Sequence, residues 1–128
     1  MVHAETQSHE AVIRSLFAAV DRRDGDAVLD LLADDVVLVF GNNDPIRGKA
    51  QFAEAQRNFG SLIGGLRHEI QDIWHAVEDA RVVIASMTVH YTRLDGTGVS
   101  LPCCNVFRVS EDRVVDYRVY MDINPVFA

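Results

Sequence analysis

The sequence predicts an α+β domain in which helices come first and an antiparallel sheet follows. Three observations carry this: apolar residues recur at helical spacing through the first half, the period changes after Gly64-Gly65, and the remainder falls into four extended runs separated by turn residues. Over residues 8–22, Val12, Ile13, Leu16, Phe17 and Val20 form an amphipathic stripe, with Ser8 placed to cap its start. A shorter helix is expected from Asp24, whose carboxylate can accept from free amides, through Val28, Leu31 and Leu32 to Ala33-Asp34-Asp35. Asp24-Gly25-Asp26 opens like a calcium loop but lacks the downstream Gly and Glu, so capping is its expected role. The β-branched run 36–40 is a strand, closed by the turn residues Gly41-Asn42-Asn43-Asp44-Pro45. Residues 48–59 read as a third helix that buries Phe52, Ala55 and Phe59. The four later strands are expected over 66–77, 81–94, 99–109 and 114–123, as a meander.

The 128 residues hold 19 acidic and 12 basic side chains, a formal charge of −7, at 48% hydrophobic and 24% charged, which suits one domain over residues 1–128. The acidic balance and the lack of a basic stripe argue against nucleic acid or an anionic membrane surface as partner, since both demand clustered Lys and Arg. No apolar stretch approaches the roughly 20 residues that span a bilayer, and Met1 to Gln7 lacks a basic start followed by an apolar run, so a cytoplasmic protein is expected. Cys103 and Cys104 are neighbours whose side chains leave a strand on opposite faces, which fits two reduced thiols. No spacing of His and Cys matches a zinc signature, and Gly60-Ser61-Leu62-Ile63-Gly64-Gly65 lacks the setting of a phosphate loop; the expectation is that neither metal nor cofactor is used.

The succession of a helix, Ala33-Asp34-Asp35-Val36, a loop ending at Gly48, another helix, and a final strand reading Asp112-Arg113-Val114-Val115-Asp116-Tyr117-Arg118-Val119-Tyr120-Met121-Asp122 resembles the nuclear transport factor 2-like superfamily. More narrowly it is similar to SnoaL-like and ketosteroid-isomerase-like domains. The resemblance implies a cone-shaped roll: three helices of the N-terminal half on a curved, four-to-five-stranded antiparallel sheet that encloses one apolar pocket. It also implies a homodimer through the outer sheet face.

Face arithmetic then suggests the pocket wall. Pairing Val77 with Arg81 across the first hairpin makes His68 the partner of His90, whereas a register one residue later would part the two rings. Pairing Leu94 with Val99 sets His90 opposite Cys103 and Thr88 opposite Asn105, so His68, Ser86, Thr88, His90, Cys103 and Asn105 share a face. On the last strand Val115, Tyr117, Val119 and Met121 form the apolar, inward row, and Arg118, Tyr120 and Asp122 the outer one. Trp74 and His75 are expected in a dimer contact or at the sheet edge.

Two neighbouring imidazoles can hold a neutral base beside a proton donor near neutral pH, so His68 and His90 are the candidate acid–base pair, with Asn105 to hold a substrate oxygen. Leu16, Val20, Phe40, Thr88, Cys103, Tyr117, Val119 and Met121 are the candidate substrate-binding residues. Within the resemblance, the carboxylate base of ketosteroid isomerases corresponds to Phe40, their tyrosine to Leu16 and their acidic partner to Asn105. Limonene-epoxide-hydrolase-like members need an Arg-x-Asp where this chain reads Ser86-Met87-Thr88, and an Asp where it has Val119. SnoaL-like cyclases use an inward aspartate near Asp122. Scytalone dehydratase is similar through His68, His90 and Cys103-Cys104-Asn105, although its helix-borne tyrosine and aspartate are missing at Leu16 and Phe17. These comparisons imply a cofactor-independent lyase or isomerase acting on a small apolar carbonyl compound of polyketide, terpenoid or steroid type. The competing expectations are a non-catalytic ligand-binding or dimerisation module and a protein-interaction module.

Overall fold

The computed structural model describes residues 2–128, with side chains from residue 4 onward; Met1 lies outside the described residues. Helix α1 (Val2–Asp21) buries His9, Val12, Ile13, Leu16, Phe17 and Ala19 along one stripe. It starts before Ser8, so Ser8 does not cap it; its hydroxyl instead donates to Asp112 Oδ1 at 2.8 Å. The helix ends in a Schellman turn: Asp24 N donates to Ala19 O and Arg23 N to Val20 O, both at 3.0 Å, with Arg23 at φ 58° in the left-handed region where glycine is usual. Asp24 then caps α2 (Gly25–Asp30), accepting from Ala27 N at 3.1 Å. This helix is shorter than its apolar spacing predicts, because Leu32 opens a strand.

Strand β1 (Leu32–Phe40) runs parallel to β6 (Arg113–Tyr120), with a shift between Leu32 and Val37 that absorbs Ala33-Asp34-Asp35. β2 (Ile46–Arg47) pairs antiparallel with β1 ahead of α3 (Gly48–Gly60). β3 (Gly65–His75), β4 (Val82–Thr92), β5 (Gly98–Ser110) and β6 form the meander. The sheet is therefore six-stranded, curved and mixed, in the order β2-β1-β6-β5-β4-β3, where four or five antiparallel strands were expected. Pairing of β1 with β6 joins segments far apart in the chain, which no local pattern reports. α1 packs on β3 and α3 on β1, and Phe17, Phe107 and Tyr117 interlock between them, with ring centroids of Phe107 and Tyr117 4.6 Å apart. Gly64, before β3, donates its N–H to Thr92 O at 2.7 Å, and any Cβ there would lie 2.8 Å from the Arg93 carbonyl.

Three features set which residues face inward. Near its turn the first hairpin has the expected register, with His75 opposite Val83 and Asp72 opposite Ser86. Gln71 is then a bulge, and beyond it His68 faces Val89 while Arg67 faces His90. The one inserted residue parts the two histidines: His68 points into the fold and His90 out of it. In the second hairpin Thr92 pairs with Gly98, leaving the loop 93–97 with an odd number of residues where an even one was expected. Met87 is thereby opposite Cys103 and Ala85 opposite Asn105, so Thr88, Ser86 and His90 lie on the outer face. A further irregularity at Val115 puts Val114, rather than Val115, in the buried row with Tyr117 and Val119. His75 also turns inward, and its Nε2 is buried without a partner among the described residues.

Deleting Gln71 removes the inserted residue and leaves Ile70 and Asp72 as successive partners of Met87 and Ser86, so the inward and outward rows keep their faces while the local bend and the Gln71–Thr88 bond are lost. Thermal and urea unfolding should show a loss of about 1–3 kcal/mol for the deletion, against about 0.5 kcal/mol or less for Gln71→Ala.

Candidate active-site cavity

Between the concave sheet face and α3 lies a cavity of about 330 Å³, within the range of roughly 300–1,000 Å³ typical of small-molecule sites. Its walls are aromatic and aliphatic: Phe52 and Phe59 come from α3, Leu38 and Phe40 from β1, Val119 from β6 and Phe127 from the last turn, Asn124–Phe127. Inward alternation on β3, β4, β5 and β6 adds the polar groups His68, Tyr91, Cys103, Asn105 and Tyr117.

His68 is the one of these with a charged partner. Asp21, the last residue of α1, accepts from the His68 backbone N–H with both carboxylate oxygens (3.1 and 3.0 Å), and its Oδ1 lies 2.6 Å from His68 Nδ1. An ionised carboxylate only accepts, so Nδ1 carries a proton, and in the neutral imidazole the lone pair is then on Nε2. Nε2 has no hydrogen-bond partner among the described residues. The Phe17 ring lies against the imidazole with centroids 4.6 Å apart, which fixes the ring plane. A negative charge at a helix C-terminus opposes the helix dipole, and three contacts from His68 offset that cost. That misplaced acidic residue is the signal in the sequence that could have pointed to Asp21, which the sequence reading passed over.

The remaining polar groups are held neutral. Burial pushes the Tyr117 phenol far above its ordinary pKa, reinforced by Cys103, Tyr91 and Asp21, so it stays a proton donor. The Tyr117 hydroxyl has no protein partner among the described residues. Tyr91 is shifted upward in the same way, and its hydroxyl donates to Met121 Sδ at 3.6 Å. Desolvation drives the Cys103 thiol up to about 11, although its bond to Asn105 Oδ1 at 3.7 Å pulls the other way. Asn105 is 1% exposed, and its amide donates to Met87 Sδ at 3.4 Å, so sulfur atoms meet both ends of the side chain.

Of the expected site residues, Val20, Phe40, His68, Cys103, Asn105, Tyr117, Val119 and Met121 line the cavity. Three do not. Leu16 is sealed in the core beneath it, 0% exposed. Thr88 is on the outer face, accepting from Gln71 Nε2 at 2.8 Å. His90 is there too, with Nδ1 2.7 Å from Ser100 Oγ and Nε2 2.7 Å from Glu69 Oε1. The paired-imidazole arrangement is thus replaced by a single imidazole on a carboxylate. Asp122 is exposed and accepts from Asn124 N at 3.0 Å, shaping the last turn. Among the described residues no three His, Cys, Asp or Glu side chains converge as a metal site.

The SnoaL-like domain family matches residues 13–117. No curated protein sequence matches the chain. Among solved structures, the chain is similar to an NTF2-like protein of unknown function from Burkholderia pseudomallei at 19% identity and TM-score 0.84, covering 94% of this chain and 95% of that one. It is similar to an LEH-like epoxide hydrolase of M. tuberculosis at 25% identity and TM-score 0.81, covering 96% and 89%. A putative polyketide cyclase of Pseudomonas putida aligns at 22% identity and TM-score 0.75, covering 88% and 90%.

With its thiol shifted to about 11, Cys103 should resist iodoacetamide at pH 8 in the folded protein and react once the chain is unfolded; peptide mapping separates its label from that on Cys104.

Proposed function

We propose, from the premise that this chain belongs to the SnoaL-like domain family, that it binds a small, largely apolar carbonyl compound in the cavity and moves a proton next to the carbonyl using its own side chains. The observation that carries the proposal is the Asp21–His68 pair: a base whose outer nitrogen is free, set in an apolar cavity. His68 Nε2 takes a proton from the carbon beside the carbonyl, and the C–H electron pair moves towards the carbonyl oxygen, which receives a hydrogen bond from the Tyr117 hydroxyl. Asp21 stabilises the imidazolium. The proton then returns to another carbon, giving an isomer, or to a departing hydroxyl, giving an alkene and water. Asn105 orients the substrate.

Epoxide hydrolysis, the activity in the name of the mycobacterial structure, has less support. The charged residues implied by that resemblance are replaced here by Ser86-Met87-Thr88 and Val119, of which Ser86 and Thr88 face outward. A non-catalytic binding protein is favoured by one observation, that among the described residues no Asp, Glu, Lys or Arg lines this cavity. Incubation with a panel of apolar ketones in D2O separates the readings. Deuterium should enter beside the carbonyl; His68→Ala and Asp21→Asn should each slow its entry at least about 100-fold, and His90→Ala should leave it unchanged. A ketone that binds yet never exchanges above the buffer rate rejects the catalytic reading in favour of the binding one.

A homodimer through the outer sheet face belongs to the same reading. It is supported by the apolar row Trp74, Ile84 and Val106 across β3, β4 and β5, with Trp74 50% exposed and Tyr120 nearby at 55%. Sedimentation should give twice the chain mass, and Val106→Lys should return a folded monomer.

A further inference from the structure

A second cavity of about 410 Å³ backs onto the first and shares Val20, Gln56, Phe59 and Leu66 with it. Arg23 and Arg57 line it, and among the described residues no Asp or Glu does. In a chain with 19 acidic and 12 basic residues this is a local reversal of sign. Taken together, the two linings hold two formally charged side chains among the described residues, both guanidinium groups and both in the second cavity, whose lining does not include His68.

The two arginines are held differently. Arg23 occupies the left-handed backbone position that ends α1, a conformation a side chain makes costly, and its Nη1 and Nη2 donate to Gly60 O at 3.4 Å and Ile63 O at 3.3 Å. These contacts tie the α1–α2 turn to the end of α3 and leave three of the five guanidinium N–H donors for other use. The guanidinium of Arg57, exposed on the last turn of α3, has no hydrogen bond or ion pair with any described residue. Gln56, in the shared wall, likewise has an amide without a partner among the described residues. A fixed and a free guanidinium lining one cavity match the flat, two-oxygen geometry of a carboxylate.

Resting on the reading of the first cavity as the ligand site, we infer that the ligand is an amphipathic carboxylic acid. Its carboxylate lies between Arg23 and Arg57, and its apolar body runs past Phe59 and Leu66 towards His68. The substrate class becomes an apolar keto acid, held by its charged end so that the carbon beside its carbonyl reaches Nε2.

Titration calorimetry with octanoate and 1-octanol, which share a tail and differ in charge, tests this without any turnover. At low salt octanoate should bind about tenfold more tightly than octanol. In about 1 M NaCl, where the Debye length falls to about 3 Å, that preference should shrink. Arg57→Gln should abolish it with octanol affinity unchanged, and His68→Ala should keep it. Equal binding of the two probes by the wild-type protein, or loss of both on Arg57→Gln, overturns the carboxylate site while leaving the cavity a ligand site. Binding of neither probe overturns both.

Discussion

The Asp21 carboxylate is the contact on which the site depends. It sits at the end of α1 that is electrically wrong for a negative charge, and it is retained there by the backbone N–H and Nδ1 of His68 on β3. One interaction therefore docks the first helix on the far strand of the sheet, fixes the imidazole tautomer, and turns the remaining nitrogen to the cavity. The ring of Phe17, one turn earlier on α1, supports the same imidazole from the side. Removing the carboxylate would loosen helix docking and base orientation together, so structure and chemistry are joined at this position.

Sheet alternation is the second constraint, because with side chains at period two a single inserted residue exchanges the two faces. The bulge at Gln71 applies this within one strand: Ile73 and His75 face inward on one side of it, and His68 and Ile70 on the other. The outward residues form their own polar row, in which Glu69, His90 and Ser100 bond to one another across three strands. The Glu69 carboxyl is held below its usual range chiefly by its hydrogen bond from His90, the behaviour of a surface ion pair. The inward residues meet a largely apolar interior where burial keeps the protons on Tyr117, Tyr91 and Cys103. One sequence of alternating residues thus yields a solvated charge network on one face and an apolar, neutral chamber on the other.

Sequence by itself determined the class of the fold and most of its elements. The stripe from Val12 to Val20, the cap at Asp24, the helix opened by Gly48 and the β-rich second half are local patterns, and each reflects the bonding or burial of residues close in the chain. The inward row of Tyr117, Val119 and Met121 was legible for the same reason, since its apolar alternation is strong. Tertiary structure decided the phase of the other strands. A period of two shows which residues alternate, but not where a bulge resets the count or whether a loop such as 93–97 holds an odd number of residues, and these decided that His90 and Thr88 face out. It also decided the partner of His68: Asp21 lies 47 residues away on a different element, and only folding brings carboxylate and imidazole to 2.6 Å.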